Sequence, residues 1–303
     1  MSMTADRNFP RRRALATKQR AFSLVELIAV ITVIGVLAGL GAVLILQPFE
    51  GTQDIRQRAR LVDAADLALS RMAREVRLAL PNSVRVTSDG SRRGIEFVKT
   101  TTGGRYRRFN DPESTQDDRI KLAPESATFD VLGGLFSRSD VQTNNDTCGT
   151  SAATCMNIFN TGQRRFDVYA GDNLARITGV TPQSDPDVDH DQLRFERAPS
   201  NSTPTFRRHS PAQRFYLFDT VVSFVCDEQA DELLRFAGYG LNGSQDLAPA
   251  SDPALLADRV TGCSFNFDPG APTRNGLLTI TLTLTGNAGE VQLFQQIHIL
   301  NAP

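Results

Sequence analysis

The sequence predicts an α+β protein in which a long N-terminal helix, apolar and then amphipathic, packs on an antiparallel β-rich head. Three observations predict it. Residues 22–46 carry no charge except Glu26, and residues 52–80 repeat apolar side chains every three or four positions. Beyond Pro81 the chain changes to short alternating segments split by polar, Gly-rich connections. With 303 residues, 40% of them hydrophobic, the chain can bury one large or two modest cores.

The first 20 residues are basic, with Arg7, Arg11, Arg12, Arg13, Lys18 and Arg20 against Asp6 alone. Positive charge directly ahead of an apolar run holds that end in the cytoplasm. Over the whole chain Lys plus Arg (33) balance Asp plus Glu (34), so no global field recruits nucleic acid or an acidic substrate.

The run from Phe22 to Leu46, as a helix rising about 1.5 Å per residue, is long enough to cross a hydrocarbon layer of about 30 Å. A secretory signal peptide has a shorter apolar core, of about 7–15 residues, and a small-residue cleavage site that does not follow Leu46. A carboxylate in such a helix is costly unless neutralised, so Glu26 is a functional candidate. The bland reading is a charge that reaches the membrane surface.

Ala21-Phe22-Ser23-Leu24-Val25-Glu26 resembles the processing site of type IV prepilins and type II secretion pseudopilins. It departs from their pattern in having Ala21 where Gly is usual and a long leader, residues 1–21. The resemblance implies that a prepilin peptidase cuts between Ala21 and Phe22 and that the new Phe22 amine is methylated. It also implies that Glu26 pairs with the Phe22 amine of a neighbouring subunit, since a buried charge is tolerable when paired. The implied partners are other major and minor pilins and an inner-membrane assembly platform. The implied placement is a single membrane pass with a periplasmic head. A minor subunit supporting filament assembly, one serving type II secretion, and an exposed pilin that binds a surface, ligand or DNA all fit this resemblance.

Gly35 and Gly39 form a GxxxG element, extended by Gly41, that lets apolar helices approach closely. Pro48 and Gly51 predict an interruption of the helix. Leu61, Ala65, Ala68, Leu69, Met72, Val76 and Leu80 then mark an apolar face. Arg58, Asp63, Asp66, Arg71, Arg74 and Arg77 form the opposite one, where acids interleave with bases as on a solvated surface rather than a nucleic-acid patch. Pro81 ends the helix.

In the head, residues 81–303, strands are predicted over Ser83–Thr87, Gly94–Thr100, Gln213–Cys226, Cys263–Phe267 and Leu277–Thr285. Asp111–Asp118, Gly179–His190 and Ala198–Pro211 read as surface loops, and the middle section, 105–213, carries no usable resemblance. Of three possible cysteine connectivities, Cys148–Cys155 and Cys226–Cys263 is expected, the first stiffening a polar loop and the second joining two strands.

Asp185, Asp187, Asp189 and Asp191, with His190 among them, form the one cluster with the oxygen donors Ca²⁺ prefers. Their spacing is not that of an EF-hand and Pro186 interrupts them, which favours a solvated acidic loop. No GxSxG, HExxH or Walker A sequence occurs, and His298 falls in a strand. The expectation is a protein without catalytic residues and without a cofactor, calcium being the single candidate.

Overall fold

The computed structural model describes residues 23–110, 119–135, 137–182, 190–198, 205–270 and 275–303, with the side chains of 42–52 and 190 left aside. The chain divides into two units, Met1–Gln53 and Asp54–Pro303.

Helix α1 spans Leu24–Val76. The interruption predicted at Pro48 and Gly51 does not occur, because both residues lie within α1. A proline removes one hydrogen bond from the ladder at a cost of about 3 kcal/mol, and long helical runs on both sides outweigh that single loss.

In the first unit Leu24–Gly41 has a mean hydropathy of 2.4 and none of it is buried among the described residues. In the second unit α1 buries Leu61, Ala65, Ala68, Leu69, Met72, Ala73 and Val76. Arg58, Asp63, Asp66, Arg71 and Arg74 stay exposed, as the charge pattern requires.

The helix stops at Val76, before Pro81, because a strand captures the chain first. The Leu80 N–H donates to the Val98 carbonyl (2.8 Å), and the Thr100 N–H donates to that of Leu78 (2.8 Å).

The head is antiparallel throughout its pairings. Its strands are β1 (Arg85–Asp89), β2 (Arg92–Tyr106), β3 (Ser126–Leu132), β4 (Thr150–Asn157), β5 (Leu174–Pro182) and β6 (His190–Arg197). They continue with β7 (Arg214–Asp227), β8 (Glu232–Ala237), β9 (Ala254–Asp258), β10 (Val260–Asp268), β11 (Gly276–Gly286) and β12 (Gly289–Ile299).

Nine strands form one sheet in the order β1-β2-β3-β6-β5-β4-β7-β8-β9, and β2 also pairs with β7. That extra pairing closes β2, β3, β6, β5, β4 and β7 into a six-stranded barrel. Its narrowest seam is β2 against β3, where only Arg105↔Leu132 and Tyr106↔Val131 are in register.

The long strands β2 and β7 serve two cores. Their halves around Ile95, Phe97, Val222 and Phe224 join the buried face of α1 and the inner face of the β10-β11-β12 sheet, including Leu278, Ile280, Leu282 and Leu284. Their other halves, around Tyr106, Phe215 and Leu217, enclose a core with Phe129, Phe195 and Phe206. Register shifts at Lys99/Thr100 and Thr100/Thr102 separate the two regions of β2. Gly103 follows them because a Cβ there would lie 2.7 Å from the Phe215 carbonyl oxygen.

The middle section therefore holds a core of its own rather than loops alone. Residues 179–182 of one expected loop belong to β5, and β6 begins at His190. Within Ala198–Pro211, Ala198, Phe206 and Ser210 are buried. The polar composition of that stretch hides one aromatic plug. Asp111–Asp118 lies outside the described residues.

The Cys148–Cys155 segment is also not a simple polar loop. Both cysteines are buried, and Cys155 lies in β4 where the pairing with β7 jumps from Thr150↔Thr220 to Cys155↔Phe218. The bridge clamps a bulge in the barrel wall. Cys226–Cys263 joins β7 to β10 and so links the large sheet to the small one.

Candidate functional site

Glu26 sits in the first turn of α1, which opens with the N–H groups of Glu26 and Leu27 both donating to the Ser23 carbonyl (3.0 and 3.1 Å). Ser23 and Glu26 have the serine-to-glutamate spacing of a capping box, a signal readable in the sequence. An acid in the first turn also complements the positive end of the helix dipole. Glu26 therefore has a local reason to be there in addition to any partner. Ala21 and Phe22, the expected cutting point, lie outside the described residues.

From Leu24 to Leu40 the apolar side chains are exposed on every side of α1. Such a surface needs lipid or other helices around it. A Cβ added at Gly35, Gly39 or Gly41 would meet nothing within 4 Å, so whatever packs on these glycines is not among the described residues of this chain.

Of the acidic cluster, Asp185, Asp187 and Asp189 lie outside the described residues. Asp191 is fully buried, accepts the Leu135 N–H at 2.6 Å and pairs with Arg138 at 2.7 Å. Its carboxylate ties Leu135 and Arg138 to β6. Among the described residues no three His, Cys, Asp or Glu side chains gather as metal ligands. His298 is exposed on β12.

Sequence reasoning missed the head's buried ionic cluster. Glu96 on β2, 1% exposed, is paired with Arg85 of β1 and accepts a hydrogen bond from the Tyr239 hydroxyl at 2.8 Å. The Arg85 guanidinium lies 3.7 Å from the centre of the Tyr169 ring and donates to the carbonyls of Asn242 and Gly243 (2.8 and 3.0 Å). The Tyr169 hydroxyl donates to the Ser83 carbonyl at 2.8 Å. Burial raises the Glu96 pKa despite Arg85 and Tyr239, and raises those of Tyr169 and Tyr239. Every member is engaged by another, so the cluster pins the 239–243 loop and the 168–170 turn to the sheet. No local periodicity announces it, because its members come from four separate segments, 83–85, 96, 169 and 239–243.

Residues 16–42 match the family model of the prokaryotic N-terminal methylation motif. The chain thus carries a prepilin-type N-terminal methylation motif leading into an exposed apolar helix, a combination that supports a type IV pilin-like or pseudopilin protein and implies processing by a prepilin peptidase. No curated protein and no solved structure matches the chain.

Proposed function

We propose that the chain is a minor pilin-like subunit, anchored in the bacterial inner membrane with its head in the periplasm, that initiates or supports assembly of a type IV pilus. One observation carries this reading: the methylation motif at 16–42 overlaps an apolar helix, Leu24–Gly41, that no described residue of its own chain covers. Removing the leader between Ala21 and Phe22 creates a new amine four residues ahead of Glu26. In an apolar filament core that amine and the Glu26 carboxylate of a neighbour neutralise each other, which sets subunit register. Gly35 and Gly39 let neighbouring helices close in.

A finer assignment rests on resemblance alone. Ala68–Val86, Phe224–Gly240, Val260–Phe267 and Asn275–Pro303 are similar to the minor pseudopilin MshO of the mannose-sensitive haemagglutinin (MSHA) pilus system. These stretches map to the end of α1, the β7–β8 hairpin, β10 and the β11–β12 hairpin. They border the helix-packing core and leave out the barrel's aromatic core around Phe129, Phe195 and Phe206. We infer that the subunit serves an MSHA-type pilus.

The test is Glu26→Ala in the native host, with membrane fractionation, N-terminal sequencing and pilus counts. The variant should insert and lose its leader yet yield few or no pili. Normal pilus numbers would remove Glu26 from assembly, and an intact leader on the assembled wild-type protein would remove the processing step.

A further inference from the structure

Strand β12 is the outer strand of the three-stranded sheet. It pairs with β11 along its whole length, from Gly276↔Ile299 to Gly286↔Gly289. On its other side the backbone N–H and C=O groups have no strand partner among the described residues. Eleven residues without proline, lysine, arginine or bulge make an unprotected edge, which soluble proteins ordinarily avoid.

The other three sheet ends are guarded. β1 has five residues with Arg85 and Asp89 at its ends, and β9 has five between Pro253 and Arg259. β10 is bulged between Val260 and Gly262, and the Cys263 carbonyl accepts a hydrogen bond from Arg93 at 3.3 Å.

The sequence of β12 nearly reads the same in both directions about Phe294. Reflection there sets Glu290 opposite His298, Gln292 opposite Gln296 and Phe294 opposite itself, all on the exposed face. On the inner face it sets Val291 opposite Ile297. In an antiparallel pair of two such strands the acid meets an imidazole, the amides meet each other, and the phenyl rings meet at the centre. Phe294 is 71% exposed in the single chain, an apolar anchor whose neighbours on that face are Gln292 and Gln296 along β12, Thr281 on β11 and Ser264 on β10.

We propose that β12 pairs antiparallel with β12 of a second copy of this chain, about a two-fold axis through Phe294, making one continuous six-stranded sheet. The pairing involves the head alone and does not depend on the assembly role of Glu26. Opposed residues of an antiparallel pair have Cα atoms about 4.5–5.5 Å apart, within the range a disulfide spans. All four native cysteines are bridged, so an introduced thiol is the only free one.

The experiment uses the full chain in detergent micelles, with molar mass read by light scattering after gel filtration. The wild type should be a dimer at micromolar concentration. Phe294→Lys, which places two ammonium groups face to face on an exposed position, should weaken dimerisation about tenfold or more with an unchanged far-ultraviolet circular dichroism spectrum. On mild oxidation Phe294→Cys should cross-link with itself. Glu290→Cys should cross-link with His298→Cys only when the two are mixed. Thr281→Cys, beside Phe294 on β11 but away from the edge, should not cross-link. A monomeric wild type, an undiminished Phe294→Lys dimer, or Phe294→Cys linking no faster than Thr281→Cys would overturn the proposal. So would capture of β12 by a strand of a different subunit in place of its own copy.

Discussion

Arg235 of β8 grips Glu75, one residue from the end of α1, through two of its nitrogens. Its Nε lies 3.0 Å from each carboxylate oxygen and one Nη lies 2.8 Å from Oε2. Both side chains are largely buried, so the pair fixes how the helix end seats on the sheet beside the apolar contacts of Met72 and Val76.

Breaking that pair should be costly. Arg235→Met leaves a poorly solvated carboxylate and should destabilise the head by about 2–4 kcal/mol, measured by denaturant titration. Burial pushes the Glu75 pKa up, but hydrogen bonds and charge from Arg235, with Lys99 and Arg71, carry it below the ordinary 4.5. Its contribution is thus complete above that ordinary value and is lost as pH falls through the lower folded value. Glu75→Gln should remove this acid-side loss.

Glu96 should show the opposite sign. Burial holds its pKa above 4.5 against Arg85 and Tyr239. Its contribution is fully present below 4.5 and is lost as pH rises through the raised value. Glu96→Gln, which keeps shape and hydrogen bonding, should flatten stability against pH on the side above 4.5, whereas Glu75→Gln acts on the side below it. Melting curves across pH 3–7, a range of about four units around the reference carboxylate values, separate the two.

The two disulfides should differ in weight. Replacing Cys226 and Cys263, separated by 37 residues, with Ala should cost about 4 kcal/mol, and replacing Cys148 and Cys155, separated by 7, about 2.5 kcal/mol. Stability before and after reduction of each single-bridge variant checks the order. Equal losses would mean that native-state packing, not chain entropy, decides.

The barrel should depend on its aromatic stack. The Phe195 ring centre lies 6.0 Å from that of Phe129 and 5.4 Å from that of Phe206, and Phe129 in turn meets Phe215 edge-on at 5.4 Å. Phe195→Ala should cost about 3–5 kcal/mol. Hydrogen exchange should show β3 and β6 losing protection first, while α1 and β11 keep theirs if the two cores open independently.

The sequence by itself determined what is local and periodic. The apolar run, its lone Glu26 and the motif ahead of it need no distant partner to be read, and the same is true of the 61–76 apolar face. The Thr279–Leu284 alternation likewise places Ile280, Leu282 and Leu284 in the core. Adjacent strand ends made the Cys226–Cys263 bridge legible.

The tertiary structure decided what depends on closure. A barrel exists only when β2 finds β7 across more than a hundred residues and also meets β3, and no window of sequence carries the long-range pairing. Three stretches of the middle section, 105–213, read locally as loops, although Phe129, Phe195 and Phe206 meet there and are joined by Phe215 of β7. The end of α1 was likewise misplaced, because backbone bonds from Leu78 and Leu80 to β2 stop the helix before proline can. Glu96, Arg85 and Tyr239 become a cluster only once three strand connections converge, since burial, which shifts the Glu96 pKa, is a property of the assembled core.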